Sequence, residues 1–316
     1  MRRLVVIVVV LGCCGRPARA AAGPGDEGLV RNPLALARLV EVEDLEREIQ
    51  RLEDGVKMKR PHLAASKRLQ QRGAVSDAEV EREESDLRFD ESRLAETRAF
   101  RELKQYELEV LIGKRAVDDR ESFRLVLAWL EGSEEIARVD AEHRAYELER
   151  ELFLLKRNAV GRVEAQIVAI NEAQARATLA LSRTRTARVR IEIAERAGDP
   201  APKTARYRQM AVGYQHLRVA YAEAAVETWQ KRLAYTAGRV EAGVMSRDDE
   251  RTITEALADA EAMLKRERDD LEKLKKAPLD ADPKPLPGRK PASRNSVALQ
   301  SQLKTAPVSA EVASFA

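Results

Sequence analysis

Three histidines, His62, His143 and His216, are the residues best suited to metal or proton chemistry, yet they lie far apart in the sequence and have no ligand spacing around them. No H-E-x-x-H, G-x-S-x-G or phosphate-loop motif occurs; "IGKR" from Ile112 lacks both the preceding glycine run and the following Ser/Thr. Acidic pairs are frequent, but equal numbers of basic residues surround them, which is the pattern of salt-bridged solvent faces. These features predict no catalytic residue, no metal site and no cofactor, and a chain that is not an enzyme. The basic run "RTRTARVR" offers an anion site only against a net charge of +3, so no nucleic-acid partner is expected.

The elements that would position any site are helical. The chain has 316 residues, 34% charged and only 4% aromatic, a mix that builds narrow helix seams better than a thick core. Residues 1–20 fit a secretory signal: Arg2 and Arg3, an apolar run over residues 4–11, then Ala18-Arg19-Ala20 as a cleavage site. That run is shorter than the roughly 20 residues of a membrane-spanning helix. "VLGC" offers an alternative, a lipoprotein box in which Cys13 is acylated and attaches the chain to the outer membrane; an uncleaved anchor is a third. Residues 21–31 read as a flexible lead, and residues 277–316, rich in Pro, Ser and Lys, as a disordered tail.

Between these ends the expected fold is all-α: elongated antiparallel coiled-coil hairpins with no β-barrel. Asn32 followed by Pro33 starts a helix. Val42, Leu45, Ile49, Leu52 and Val56 make a coiled-coil seam, and Pro61 kinks or restarts the helix. Gly73 supplies a left-handed C′ residue, and Ser76 with Glu79 an S-x-x-E capping box, with Val75 and Val80 as a hydrophobic staple. Gly243, Ser246 and Asp249 repeat this 170 residues later, as Leu257 and Leu264 repeat Leu87 and Leu94, which suggests an internal duplication. A short apolar helix, "SFRLVLAWL", is expected to end at Gly132. Ser133 would then cap one helix running unbroken to Gly198. Tyr207, Met210, Tyr214, Leu217 and Tyr221 form a packing seam. The expected divisions are hairpin 1 over 32–131, a long connecting helix over 132–199 and hairpin 2 over 200–276.

Two stretches resemble known hairpin tips. "GRVEAGVMSRDDERTITEALADAEAMLKRERDDL" resembles the periplasmic tips of outer-membrane efflux factors of the TolC type: Arg239, Gly243 and Asp249 match their pattern, and Val240 replaces an aromatic. "RLQQRGAVSDAEVEREESDLRFDESRL" is similar to the hairpins of periplasmic adaptor proteins; Leu69 and Ser76 have the tip spacing, with Ala65 where the arginine would stand. The resemblance implies tip-to-tip binding of partner helices in an envelope complex, through Leu69, Gly73, Ser76, Glu79, Arg239, Gly243, Ser246 and Asp249. A passive spacer or self-associating coiled coil is the alternative. An unbroken helix over 133–198 makes three passes between the tips and puts them at opposite ends; a fold-back at Gly161 makes four and puts them at one end.

Overall fold

The computed structural model describes residues 32–198 and 204–277, so the lead, the signal, Cys13 and the tail lie outside the described residues. Within them are six long helices and no strand: α1 (Pro33–Gln71), α2 (Asp77–Leu111), α3 (Asp119–Lys156), α4 (Arg162–Ala197), α5 (Ala205–Glu241) and α6 (Arg247–Lys276). At 30 to 39 residues each, they are rods of about 45–60 Å. Each packs only on its neighbours in sequence, antiparallel, so the chain forms an open serpentine row. Its core is a series of seams between successive rods.

Local chemistry sets the helix starts. Asn32 Oδ1 accepts from the Leu34 and Ala35 amides at 3.0 and 3.4 Å. Asp118 caps α3 in the same way, accepting from Arg120 and Glu121 at 2.9 and 3.4 Å, and Thr204 Oγ1 accepts from the Tyr207 amide at 3.2 Å. These side-chain acceptors satisfy amides that the first helical turn leaves free. Pro61 neither ends nor restarts α1, which continues from Pro33 to Gln71.

Two sequence expectations fail in the centre of the chain. Gly132 does not end a helix, and Ser133 caps none: both lie inside α3. The glycine is there for contact. A Cβ at position 132 would stand 2.9 Å from the Cα of Glu96, so only glycine lets α2 and α3 approach this closely. Ser133 instead donates its hydroxyl to Glu96 at 2.7 Å, beside the Trp129 indole N–H at 3.1 Å.

The long connecting helix over 132–199 is likewise absent. The chain turns back between Lys156 and Arg162, with Asn158 in the left-handed region at φ 55° and Gly161 as the N-cap. Asn tolerates that conformation better than other non-glycine residues. The consequence is a third hairpin. The even helices begin at 77, 162 and 247, each 85 residues apart, and their N-caps Ser76, Gly161 and Ser246 keep the interval. The odd helices are capped by Asn32, Asp118 and Thr204, each 86 apart. The 170-residue correspondence therefore spans two periods of a three-unit array, and units of this kind stack through nearest-neighbour seams.

The richest seam joins α2, α3 and α4 near the turn between Ile112 and Asp118. Leu103, Tyr106, Phe123, Leu125, Val126, Leu130 and Val189 are buried together there. Tyr106 also pins the turn: its hydroxyl donates to the Asp118 carbonyl at 2.9 Å and accepts from the Asp118 amide at 2.7 Å. Elsewhere the seams are thinner and edged by cross-helix ion pairs such as Arg60–Glu91, Arg98–Glu53 and Arg268–Glu223, at 2.7 to 2.8 Å. Exposed pairs of this type contribute little each; they fix register more than stability.

Candidate functional site: the hairpin tips

Since the rods alternate in direction, the first, third and fifth turns, at 72–76, 157–161 and 242–246, share one end of the array. This corrects the expected opposite placement of the tips, because α3 and α4 together supply the fourth pass. The three tips have one backbone design. At the first, the Gly73 amide donates to the Gln70 carbonyl at 2.8 Å and the Ala74 amide to Leu69 at 2.9 Å. At the second, Asn158 donates to Leu155 and Ala159 to Leu154, both at 3.0 Å; at the third, Gly243 donates to Val240 at 2.9 Å and Val244 to Arg239 at 2.8 Å. Each is a Schellman closure of the odd helix. Gly73 and Gly243 hold φ of 71° and 69°, where a side chain would be strained.

The residues singled out by sequence therefore divide into shapers and surfaces. Gly73, Gly243, Ser76 and Ser246 shape the turns. Leu69 gives its carbonyl to the turn but leaves its side chain 42% exposed. Ser76 Oγ accepts from the Glu79 amide at 3.2 Å, but the Ser76 amide does not donate back to the Glu79 carboxylate, so the first capping box is half complete. The Glu79 carboxylate stays exposed. The third tip has the full box: Asp249 Oδ2 accepts from the Ser246 amide at 3.0 Å and from the Ser246 hydroxyl at 2.7 Å, while Ser246 Oγ accepts from the Asp249 amide at 3.1 Å. Asp249 is thus an architectural residue as well as a surface one. Arg239 is half-buried, and its shielded Nε has no hydrogen-bond partner.

Ser246 holds the Asp249 carboxyl below the usual aspartate range, first through its hydroxyl and then through its amide, with burial opposing weakly. A depressed acid adds stability above its unfolded pKa and loses it as pH falls through the folded one. The third tip should therefore keep its cap through the ordinary aspartate range as pH falls and fray only below it. By NMR, the Ser246 amide shift should titrate at lower pH than an ordinary aspartate predicts. In Ser246→Ala the Asp249 midpoint should move back up toward the ordinary aspartate range; a midpoint that stays put would remove the hydroxyl from the account.

One other constellation invites a chemical reading. Behind the tips, a cleft of about 160 Å3 lies between α2 and α3, lined by Glu81, Ser85, Arg88, Glu142, His143 and Tyr146 among others. Ser85 Oγ stands 3.1 Å from His143 Nδ1, and His143 Nε2 stands 3.3 Å from Glu147. The order mimics a serine–histidine–acid relay. Ser85, however, lies well inside α2, where the backbone amides are used by the helix, so the backbone beside it offers no free pair of N–H donors for an oxyanion. The arrangement is a polar cross-link between two rods. Burial and a hydrogen bond with Glu81 raise the Tyr146 pKa, as expected for a phenol held against a carboxylate. Among the described residues no group of three or more His, Cys, Asp or Glu is arranged to hold a metal ion, and no helix is long and apolar enough to cross a membrane.

The middle tip is the site that the sequence analysis holds only as the alternative to an unbroken helix. Its turn substitutes Asn158 for glycine at C′ and Gly161 for serine at the N-cap, which hides it from a search for glycine–serine corners. The signal that could have found it is the match of "RNAVG" to "RGAVS", 85 residues apart. No protein-family model, curated protein or solved structure matches this chain. The geometry of the tips is therefore the ground on which a function can be argued.

Proposed function

We propose that this chain is a non-enzymatic, exported coiled-coil scaffold that binds partner helices of a cell-envelope complex through its hairpin tips, in the manner of efflux and secretion hairpins. The observation that carries the reading is the convergence of three turns with the same backbone closure at one end of a rod array, with Leu69 and Val244 42% and 56% exposed there. Identical backbones with different side chains suit repeated docking, because the backbone sets spacing and the side chains select the partner. The fold-back at 157–161 removes the geometric objection to an efflux-like arrangement, since both resembling tips now share an end. Export would follow from the basic and apolar character of residues 1–20, with acylation of Cys13 as the alternative route to the envelope.

The test uses the native envelope. Leu69→Ser combined with Arg239→Glu changes the exposed Leu69 side chain and reverses the charge of the half-buried Arg239, and leaves both glycines and both capping serines in place. The expected result is loss of a crosslinked envelope partner at unchanged helicity. Unchanged crosslinking would leave the rival reading, a passive spacer whose tips bind nothing.

A further inference from the structure

The middle tip differs from its neighbours in chemistry while sharing their backbone. Leu152, Phe153, Val163 and Ile167, within two helical turns of the reversal, are each between 37% and 50% exposed. One period away the equivalent positions hold Lys67, Arg68, Ala78 and Arg82; on the other side they hold Ala237, Gly238, Asp248 and Thr252. The apolar side chains are thus a property of this tip and not a requirement of the turn. Lys156, Arg157 and Arg162 are interleaved with them, all exposed, and no acid occurs from 152 to 163; Glu151 and Glu164 stand just outside. In an array laced with ion pairs, none of these three cations has one among the described residues. Arg157 instead lies over the Phe153 ring, 4.1 Å from its centroid.

We infer that the middle tip docks on an anionic lipid surface, with Phe153, Leu152, Val163 and Ile167 entering the headgroup region and Lys156, Arg157 and Arg162 pairing with lipid phosphates. Exposed aromatic and aliphatic side chains beside unpaired cations are what an interfacial anchor needs: apolar area to leave water, and long basic side chains that reach back to the headgroups. Charge decides against a second copy of the same tip, since three cations would then face three cations. A rounded end also presents these residues to a plane more readily than to a pocket. The lipid surface would then orient the array end-on, with the flanking tips held at the same level. This inference does not depend on the protein partner proposed for the first and third tips, and the variants below leave Leu69 and Arg239 unchanged.

The experiment is co-sedimentation of the full chain with vesicles of phosphatidylcholine alone or mixed with phosphatidylglycerol. Binding to the mixed vesicles only is expected. Each cation near an anionic surface contributes about fivefold, so reversing all three (K156E/R157E/R162E) should weaken binding by at least about a hundredfold. Phe153→Ser with Ile167→Ser should weaken it as well, and both variants should keep wild-type helicity because every substituted side chain is exposed. Phe153→Trp reports depth: its emission should shift to the blue on mixed vesicles. Absence of binding, binding that survives either variant, or an unshifted tryptophan would each overturn the proposal. So would capture of an acidic protein at this tip without vesicle binding, which would replace the lipid with a protein.

Discussion

Phe123→Ala is expected to lower stability by about 3–5 kcal/mol, the usual cost of emptying a buried aromatic site. Phe123 is 7% exposed and packs with Leu103, Tyr106, Leu125, Val126, Leu130 and Val189 where α2, α3 and α4 meet. Arg196 also lies over its ring, 4.5 Å from the centroid, so truncation uncovers a cation that the ring now covers. Little nearby can collapse into the space. The rods on either side are held by the Tyr106–Asp118 clamp and the Arg196–Asp119 ion pair at 3.1 Å. The effect should therefore remain as a cavity penalty, visible as a fall of roughly 6–15 °C in the thermal midpoint. Phe123→Leu, which keeps most of the volume, should cost less than half as much. Because each rod touches only its neighbours, the damage should also be local: amide exchange should accelerate in α2 to α4 before it does in α1 or α6. Uniform acceleration along all six helices would argue that the array unfolds as one unit.

Much of this architecture is legible in the residues, and the parts that are not share a cause. Gly73, Ser76, Gly243 and Ser246 announce their turns because glycine and serine are the best residues for αL and N-cap positions. Asn158 and Gly161 build the same turn from second-choice residues, so a reading by residue type passes over it. Period would have found it, since the buried positions Val56, Ala141 and Val226 also fall 85 apart. Gly132 misleads in the opposite sense. It looks like a stop, but its role is set by Glu96 on another helix, which no local pattern can convey. Ser133 shares that fate: a capping residue by type, a cross-helix donor in fact. At the candidate site, the exposed Leu69 and the Ser246–Asp249 box follow from the sequence. The middle tip's apolar and basic surface does not, because "LFLLKRNAVGRV" reads as a stretch of amphipathic helix until the reversal at 157–161 turns it into an end.

Two buried carboxylates show how the repeat separates tolerated from costly substitutions, and Glu267→Ala is the second large effect expected. Glu172 and Glu267 are 6% and 8% exposed, on helices that are equivalent in the array. Glu172 occupies the position of Leu87 and Leu257 in the other two units. It pairs with Arg176 at 2.6 Å and Lys231 at 3.4 Å, but both cations also pair with Glu227. Glu172→Leu restores the residue of the other units and leaves no cation without a partner, so stability should be unchanged or higher, as when a buried ion pair gives way to an apolar residue of similar size. Glu267 sits where the other units have Thr97 and Ser182. Its carboxylate takes Gln215 Nε2 at 2.7 Å and the Arg218 guanidinium, and these two bonds tie α5 to the edge helix α6. Gln215 keeps its bond to the Glu267 carbonyl at 2.9 Å, but Arg218 loses the one ion pair it makes among the described residues. Breaking one side of a buried pair costs about 3–5 kcal/mol when the other charge is trapped. Arg218 is 41% exposed and can regain water, so about 2–3 kcal/mol is expected for Glu267→Ala after that discount. The loss should appear in hydrogen exchange as early unfolding of α6, an edge helix packed on α5 alone among the described residues. Equal effects of Glu172→Leu and Glu267→Ala would mean that burial alone sets the cost, and that the second acid on α5, Glu227, does not protect its cations.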